Sequence, residues 1–163
     1  MQALIALAFS LRWASPVAAQ VIGEAQGFAS GVTGGGSATP VYPETNEELI
    51  SLLESADPQV IVLTKTFEFI GTEGTTTEDG CAPWGTEDPA CQLAIDGPDW
   101  CGDRDPVTVT YDNAAGQPIH VASDKTLVGE GDAGALSGKG LRFTNAVSNI
   151  IVQNIKITNL NPQ

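Results

Sequence analysis

Short alternating runs of apolar and polar residues recur through the C-terminal part of this chain. Ile119-His120-Val121 is followed by Thr126-Leu127-Val128-Gly129, and Leu141-Arg142-Phe143 by Asn149-Ile150-Ile151-Val152. Ile119 to Leu141 is a step of 22 residues, and Leu127 to Ile150 a step of 23. A repeat of this length with no helical period predicts a solenoid of short strands. Each strand then pairs in parallel with its equivalent one turn later, and alternate side chains stack inside. The expected fold is therefore all-β, a right-handed single-stranded parallel β-helix. Asn145, Asn149, Asn154 and Asn159 read as its corners, because asparagine tolerates left-handed geometry and can stack its amides from coil to coil.

The segments upstream fit that frame. Thr45 with Glu48 forms a predicted capping box, and Leu49, Leu52, Leu53 and Ala56 then make one apolar stripe before Asp57-Pro58 ends the helix. A short helix in this place serves to cover the open end of a solenoid. Val60-Ile61-Val62-Leu63 reads as a buried strand, while Phe67-Glu68-Phe69 and Val107-Thr108-Val109-Thr110-Tyr111 alternate as half-exposed ones. Gly34-Gly35-Gly36 is followed by no Lys-Ser/Thr, so it predicts a tight turn against other backbone, not a phosphate loop. Residues 71–106 carry almost no aliphatic side chains and read as one long loop. Their order must come from Cys81, Cys91 and Cys101 and from Trp84 and Trp100. The tryptophans either pack over a disulfide or offer flat faces to sugar rings.

Residues 1–19 read as a secretory signal peptide, with the apolar run Ala3-Leu4-Ile5-Ala6-Leu7-Ala8-Phe9 and a small-residue cleavage site at Val17-Ala18-Ala19. That run is too short to span a bilayer, and a membrane anchor is not expected. Removing it takes away Arg12 and no acid, so the −13 of the whole chain becomes −14. Such an excess argues against nucleic acid or an anionic membrane as partner, since both need a basic patch. An odd number of cysteines in a secreted chain means one free thiol or a partner outside the sequence.

Several blocks resemble one known family. Val32-Thr33-Gly34-Gly35-Gly36-Ser37-Ala38-Thr39-Pro40, Cys81-Ala82-Pro83-Trp84-Gly85-Thr86, Lys125-Thr126-Leu127-Val128-Gly129-Glu130-Gly131 and Asn149-Ile150-Ile151-Val152-Gln153-Asn154-Ile155 look like the amino-terminal part of fungal pectin lyases. These are secreted polysaccharide lyases of the pectate lyase superfamily (polysaccharide lyase family 1), with a parallel β-helix fold. The resemblance implies that residues 20–163 are the truncated N-terminal part of one such domain, holding its first coils only. It further implies a Cys81–Cys101 bridge, a Cys91 left unpaired because its partner lies beyond residue 163, and a substrate-cleft role for Trp84 and Trp100.

The implied reaction is β-elimination on methyl-esterified (1→4)-α-D-galacturonan, yielding 4,5-unsaturated oligosaccharides. A base removes H5 and the C4–O4 bond breaks. A free carboxylate makes that anion costly, and pectate lyases recruit Ca²⁺ against it. A methyl ester acidifies H5 without such help, and an arginine can serve as base and anion stabiliser. The acidic balance tolerates a neutral ester better than polygalacturonate. Asp96, Asp99, Asp103 and Asp105 lack Ca²⁺-loop spacing, so neither a metal site nor any cofactor is expected. None of Lys65, Arg104, Lys125, Lys139, Arg142 and Lys156 matches the family's catalytic arginine, so no catalytic residue is assigned; the protein is expected to be a monomer, and the piece alone to be inactive and poorly soluble, with residues 149–158 an uncovered sheet edge. His120 and Arg142 alternate with apolar neighbours and read as outward-facing surface residues. The competing readings are a Ca²⁺-dependent pectate lyase and a non-catalytic β-helical carbohydrate-binding module.

Overall fold

The computed structural model describes residues 21–85, 91–144 and 146–160. The expected signal segment 1–19 and the expected corner Asn145 lie outside the described residues. In chain order the strands are β1 (Pro40–Val41), β2 (Gln59–Leu63), β3 (Thr66–Glu68), β4 (Thr75–Cys81), β5 (Ala94–Ile95), β6 (Val107–Asp112), β7 (Ile119–His120), β8 (Lys125–Gly129), β9 (Ala135–Ser137), β10 (Leu141–Arg142), β11 (Ile150–Gln153) and β12 (Lys156–Thr158). Helix among the described residues is confined to α1 (Asn46–Glu54), the single turn α2 (Asn113–Gly116) and a 3₁₀ turn at Gly27–Ala29. The fold is all-β.

Three sheets are parallel, with strand orders β1-β2-β8-β11, β10-β7 and β12-β9-β3. Each strand of the later set lies on an equivalent of the earlier one. Leu141 pairs with Ile119, Ile150 with Lys125, and Lys156 with Ala135. The first step is the expected 22 residues. The second is 25, not 23, because Leu127 lies opposite Val152 and not Ile150. The corner 143–149 is longer than the corner 121–124 it stacks on and lengthens the step there to 25, while the shorter link from β11 to β12 brings the next step, Ala135 to Lys156, back to 21.

Parallel strands buried on one face stack like side chains from layer to layer. Ile61 pairs with Leu127 and Phe67 with Leu136, and all four are buried. With Leu63, Phe69, Ile119 and Val121 they form one apolar core, each full burial stabilising by roughly 2 kcal/mol. Helix α1 lays Leu49 and Leu53 onto this core. Thr45 caps it by accepting from Glu48 N at 3.1 Å. The return bond of the capping box is displaced by one residue, since Glu48 Oε2 accepts from Glu44 N at 2.8 Å. The helix also stops at Glu54, ahead of Asp57-Pro58, leaving Ala56 exposed.

Residues 71–106 are not one loop. β4, the polar run Thr-Thr-Thr-Glu-Asp-Gly-Cys, pairs antiparallel with β6 from Thr75↔Asp112 to Gly80↔Val107, and β5 joins its other side. Periodicity could not reveal β4, since only Gly80 and Cys81 are buried along it. Its partner β6 supplies the ladder, and Val109 supplies the buried side chain. This antiparallel sheet stands in the chain between β3 and β7, as an insertion among the strands of the parallel sheets.

The corners follow the asparagine reading wherever they are described. Asn149, Asn154 and Asn159 hold φ of 59°, 55° and 53°, a region most residues avoid. Asn154 Nδ2 donates to Gly129 O at 2.8 Å, and Asn159 Nδ2 to Ser137 Oγ at 3.0 Å. The glycine-rich turn packs against the same side. A Cβ on Gly35 would sit 2.1 Å from Gln59 O, and one on Gly34, with φ +56°, 2.1 Å from Thr126 Oγ1. Only glycine permits that approach.

Candidate functional site

The candidate site begins where β4 ends. Cys81 closes the strand and is bonded to Cys101, with Cα atoms 5.9 Å apart across a sequence separation of 20. Both sulfurs are buried against the hairpin. Trp84 follows one cysteine by three residues and Trp100 precedes the other, so the bridge holds both indoles at one end of the hairpin. They do not cover the disulfide as buried packing: Trp84 is 64% exposed and Trp100 50%. Two aromatic faces of this size standing in water are costly unless something apolar docks on them.

The chain around the bridge is fixed by local polar contacts. Asp96 Oδ1 accepts from Cys101 N at 2.8 Å, and Cys101 O accepts from Arg104 Nη1 at 2.9 Å. The Arg104 guanidinium lies 5.4 Å from the Trp100 ring centroid, a cation–π distance. Cys91 carries a half-buried free thiol whose Sγ donates to Trp84 O at 3.4 Å. Among the described residues no three His, Cys, Asp or Glu side chains converge as metal ligands, and none of the loop aspartates meets another in such a group.

The hairpin carrying this site is anchored at its base. Asp112 Oδ2 accepts from Gly71 N at 2.5 Å, and Asp112 Oδ1 caps α2 through Ala114 N at 2.9 Å. Asn113 Oδ1 accepts from Thr76 Oγ1 at 2.6 Å, while its Nδ2 donates to Glu73 O at 3.1 Å. Lys139, buried, reaches Glu73 Oε1 at 2.7 Å and the Gln117 carbonyl. On the hairpin itself Tyr111 donates to Glu78 Oε1 at 2.6 Å, and that bond raises the tyrosine pKa above its ordinary value.

Sequence reasoning missed three cations. Lys125 is fully buried and donates to the carbonyls of Ser55, Asp57 and Ser123 at 2.8–2.9 Å. Burial lowers its pKa. The signal was there, since Lys125 stands two residues before the inward Leu127 and shares its face. Lys139 and Arg104 had no such mark in the sequence. His120 and Arg142 are exposed.

A separate groove of about 970 Å³ runs between residues 21–40 and the outer face of β1-β2-β8-β11, lined by Ile22, Val32, Val60, Ile151 and Gln153. Gln153 closes it by exchanging two 2.7 Å bonds with the backbone of Ile22. Neither tryptophan reaches it.

No family model matches the chain. Among curated proteins it is 74% identical over 142 residues to "Probable pectin lyase C" of Aspergillus niger, which takes in 87% of this chain and 37% of that protein. It is 61% identical over 154 residues to "Pectin lyase B" of Emericella nidulans, covering 92% and 40% respectively. It is also 56% identical over 164 residues to "Pectin lyase A" of the same organism, covering 98% and 43%. Over nearly all of its own length the chain is thus a relative of pectin lyases, and it spans about two fifths of the length of those relatives.

Proposed function

We propose that this pectin lyase relative is the N-terminal part of a secreted enzyme that cleaves methyl-esterified (1→4)-α-D-galacturonan by β-elimination, releasing 4,5-unsaturated oligosaccharides. The observation that carries the reading is the 56–74% identity to proteins named pectin lyase across about nine tenths of the chain. In this reading residues 1–19 direct secretion and are removed, and residues 20–163 open a right-handed parallel β-helix. The three stacked parallel sheets support that architecture.

The division of labour follows from which groups the chain has. Trp84 and Trp100, exposed at the bridged end of the hairpin, receive sugar rings of the polymer. Lys125 and Lys139 are consumed in structural contacts and cannot serve as the base. The arginine that abstracts H5 then belongs to a coil after residue 163, and residues 20–163 by themselves bind weakly and do not turn over. The Cys91 thiol is left for a cysteine in that later part. The reading needs no metal, because an ester already acidifies H5 and an arginine steadies the anion.

The test is the full-length protein with highly methylated pectin and a chelator present. We expect the absorbance of an unsaturated product to appear at an undiminished rate. Turnover of polygalacturonate alone, and only with added Ca²⁺, would make it a pectate lyase. Pectin binding without product would make it a carbohydrate-binding module.

A further inference from the structure

Arg104 is the sole lysine or arginine between Lys65 and Lys125 in the sequence. Asp99, Asp103 and Asp105 are its sequence neighbours, yet it forms no ion pair with any of them. The ion pairs among the described residues are Lys65–Glu44 and Lys139–Glu73. The guanidinium is instead fixed by one donor to Cys101 O at 2.9 Å and by the indole of Trp100 at 5.4 Å. Its Nε and Nη2 donors meet no acceptor among the described residues. A planar fork held on one side and open on the other is preorganised for a carboxylate, which it can bind through two parallel bonds.

Its surroundings sharpen the choice of ligand. The exposed faces of Trp100 suit the apolar side of a sugar ring, and the nearby aspartates repel anions that do not reach the guanidinium itself. A ligand that combines a sugar ring with one well-placed carboxylate satisfies both. We propose that Arg104 and Trp100 form a subsite for a galacturonate unit with a free carboxylate, so that Arg104 sets how the enzyme reads gaps in the methylation pattern. The substrate in this inference rests on the pectin lyase reading; the preference for acid over ester rests on the guanidinium alone.

The experiment compares the full-length protein with Arg104→Gln and Arg104→Lys variants on pectin of high and of partial methylation. For Arg104→Gln the ratio of kcat/KM on partly methylated to highly methylated pectin falls about tenfold, the size of one lost charge-assisted contact. Arg104→Lys, which keeps the charge without the fork, retains part of the ratio. An equal loss on both pectins would reduce Arg104 to a support for Trp100 and overturn the proposal, as would no change. Calorimetric titration with a fully methyl-esterified oligogalacturonide (the ester) and with the same oligomer carrying one free carboxylate (the acid) separates this from the lyase reading. Wild type should bind the acid more tightly and Arg104→Gln should lose that margin even if no product forms. Equal binding of acid and ester by wild type sinks the subsite whatever the activity.

Discussion

Asn149 Nδ2 donates to Asp124 Oδ1 at 2.6 Å, and the two residues, which lead into the paired parallel strands β11 and β8, share the same left-handed φ of 59°. The other end of the Asn149 amide accepts from Thr33 N at 2.7 Å and Gly34 N at 2.9 Å. One side chain therefore ties the corner before β11 to the corner before β8 and to the glycine-rich turn. Replacing it tests how far the parallel sheets depend on their corners. Asn149→Gly keeps the backbone free but loses the bonds, costing about 2 kcal/mol. Asn149→Ala adds the penalty of a left-handed residue, about 1 kcal/mol more. Urea denaturation of the full-length protein should rank wild type above Gly above Ala; Ala equal to Gly would mean the backbone relaxes there.

The hairpin end is expected to depend on its bridge. Cys101→Ser releases a closure spanning 20 residues, worth about 3 kcal/mol in the chain-entropy model. Most of that loss should stay local, because the core does not include the segment between the cysteines. Limited proteolysis should therefore cut within residues 82–100 of the variant while the parallel strands resist. Uniform cleavage throughout would show the bridge supporting the whole fold.

Two groups give opposite pH slopes in the alkaline range. The pKa of Lys125 in the folded chain lies below the ordinary 10.5 because it is buried. The folded state thus holds its proton less firmly than the unfolded one, and stability rises with pH through the window from that lowered value to 10.5. Tyr111 is the reverse case. Its bond to Glu78 raises the pKa above 10.0, so its contribution is complete below 10.0 and is lost as pH climbs through the raised value. Melting temperatures across this window should show Tyr111→Phe removing a loss and Lys125→Met removing a gain. Lys125→Met also strands three carbonyls and costs about 3 kcal/mol at neutral pH. A variant as stable as wild type would mean water replaces the ammonium.

The parallel strands were legible in the sequence wherever the apolar run was long enough to count. β2, β8 and β11 announced themselves through two to four consecutive aliphatics. β9 and β12 are three residues each, too short for a period, and are set by the strands beside them. The slip from 23 to 25 has the same root, since spacing of apolar runs cannot tell a longer corner from a shifted register. β4 was hidden for another reason: polar threonines form a strand when β6 completes their ladder, a fact of tertiary pairing. At the candidate site the tryptophans drew notice by residue type, by standing beside Cys81 and Cys101 and by the family resemblance, while Arg104 became visible only through its distance to an indole.

The insertion between β3 and β7 has a consequence for variation. Its chain leaves the parallel sheets just after Phe69 and returns by Ile119, and Asp112, Asn113 and Lys139 clamp the neck it passes through. The register of β2 against β8 is therefore blind to what happens at the far tip. Loop length, charge and aromatic content there can be exchanged like the bit of a drill, while the shank that holds it keeps one shape.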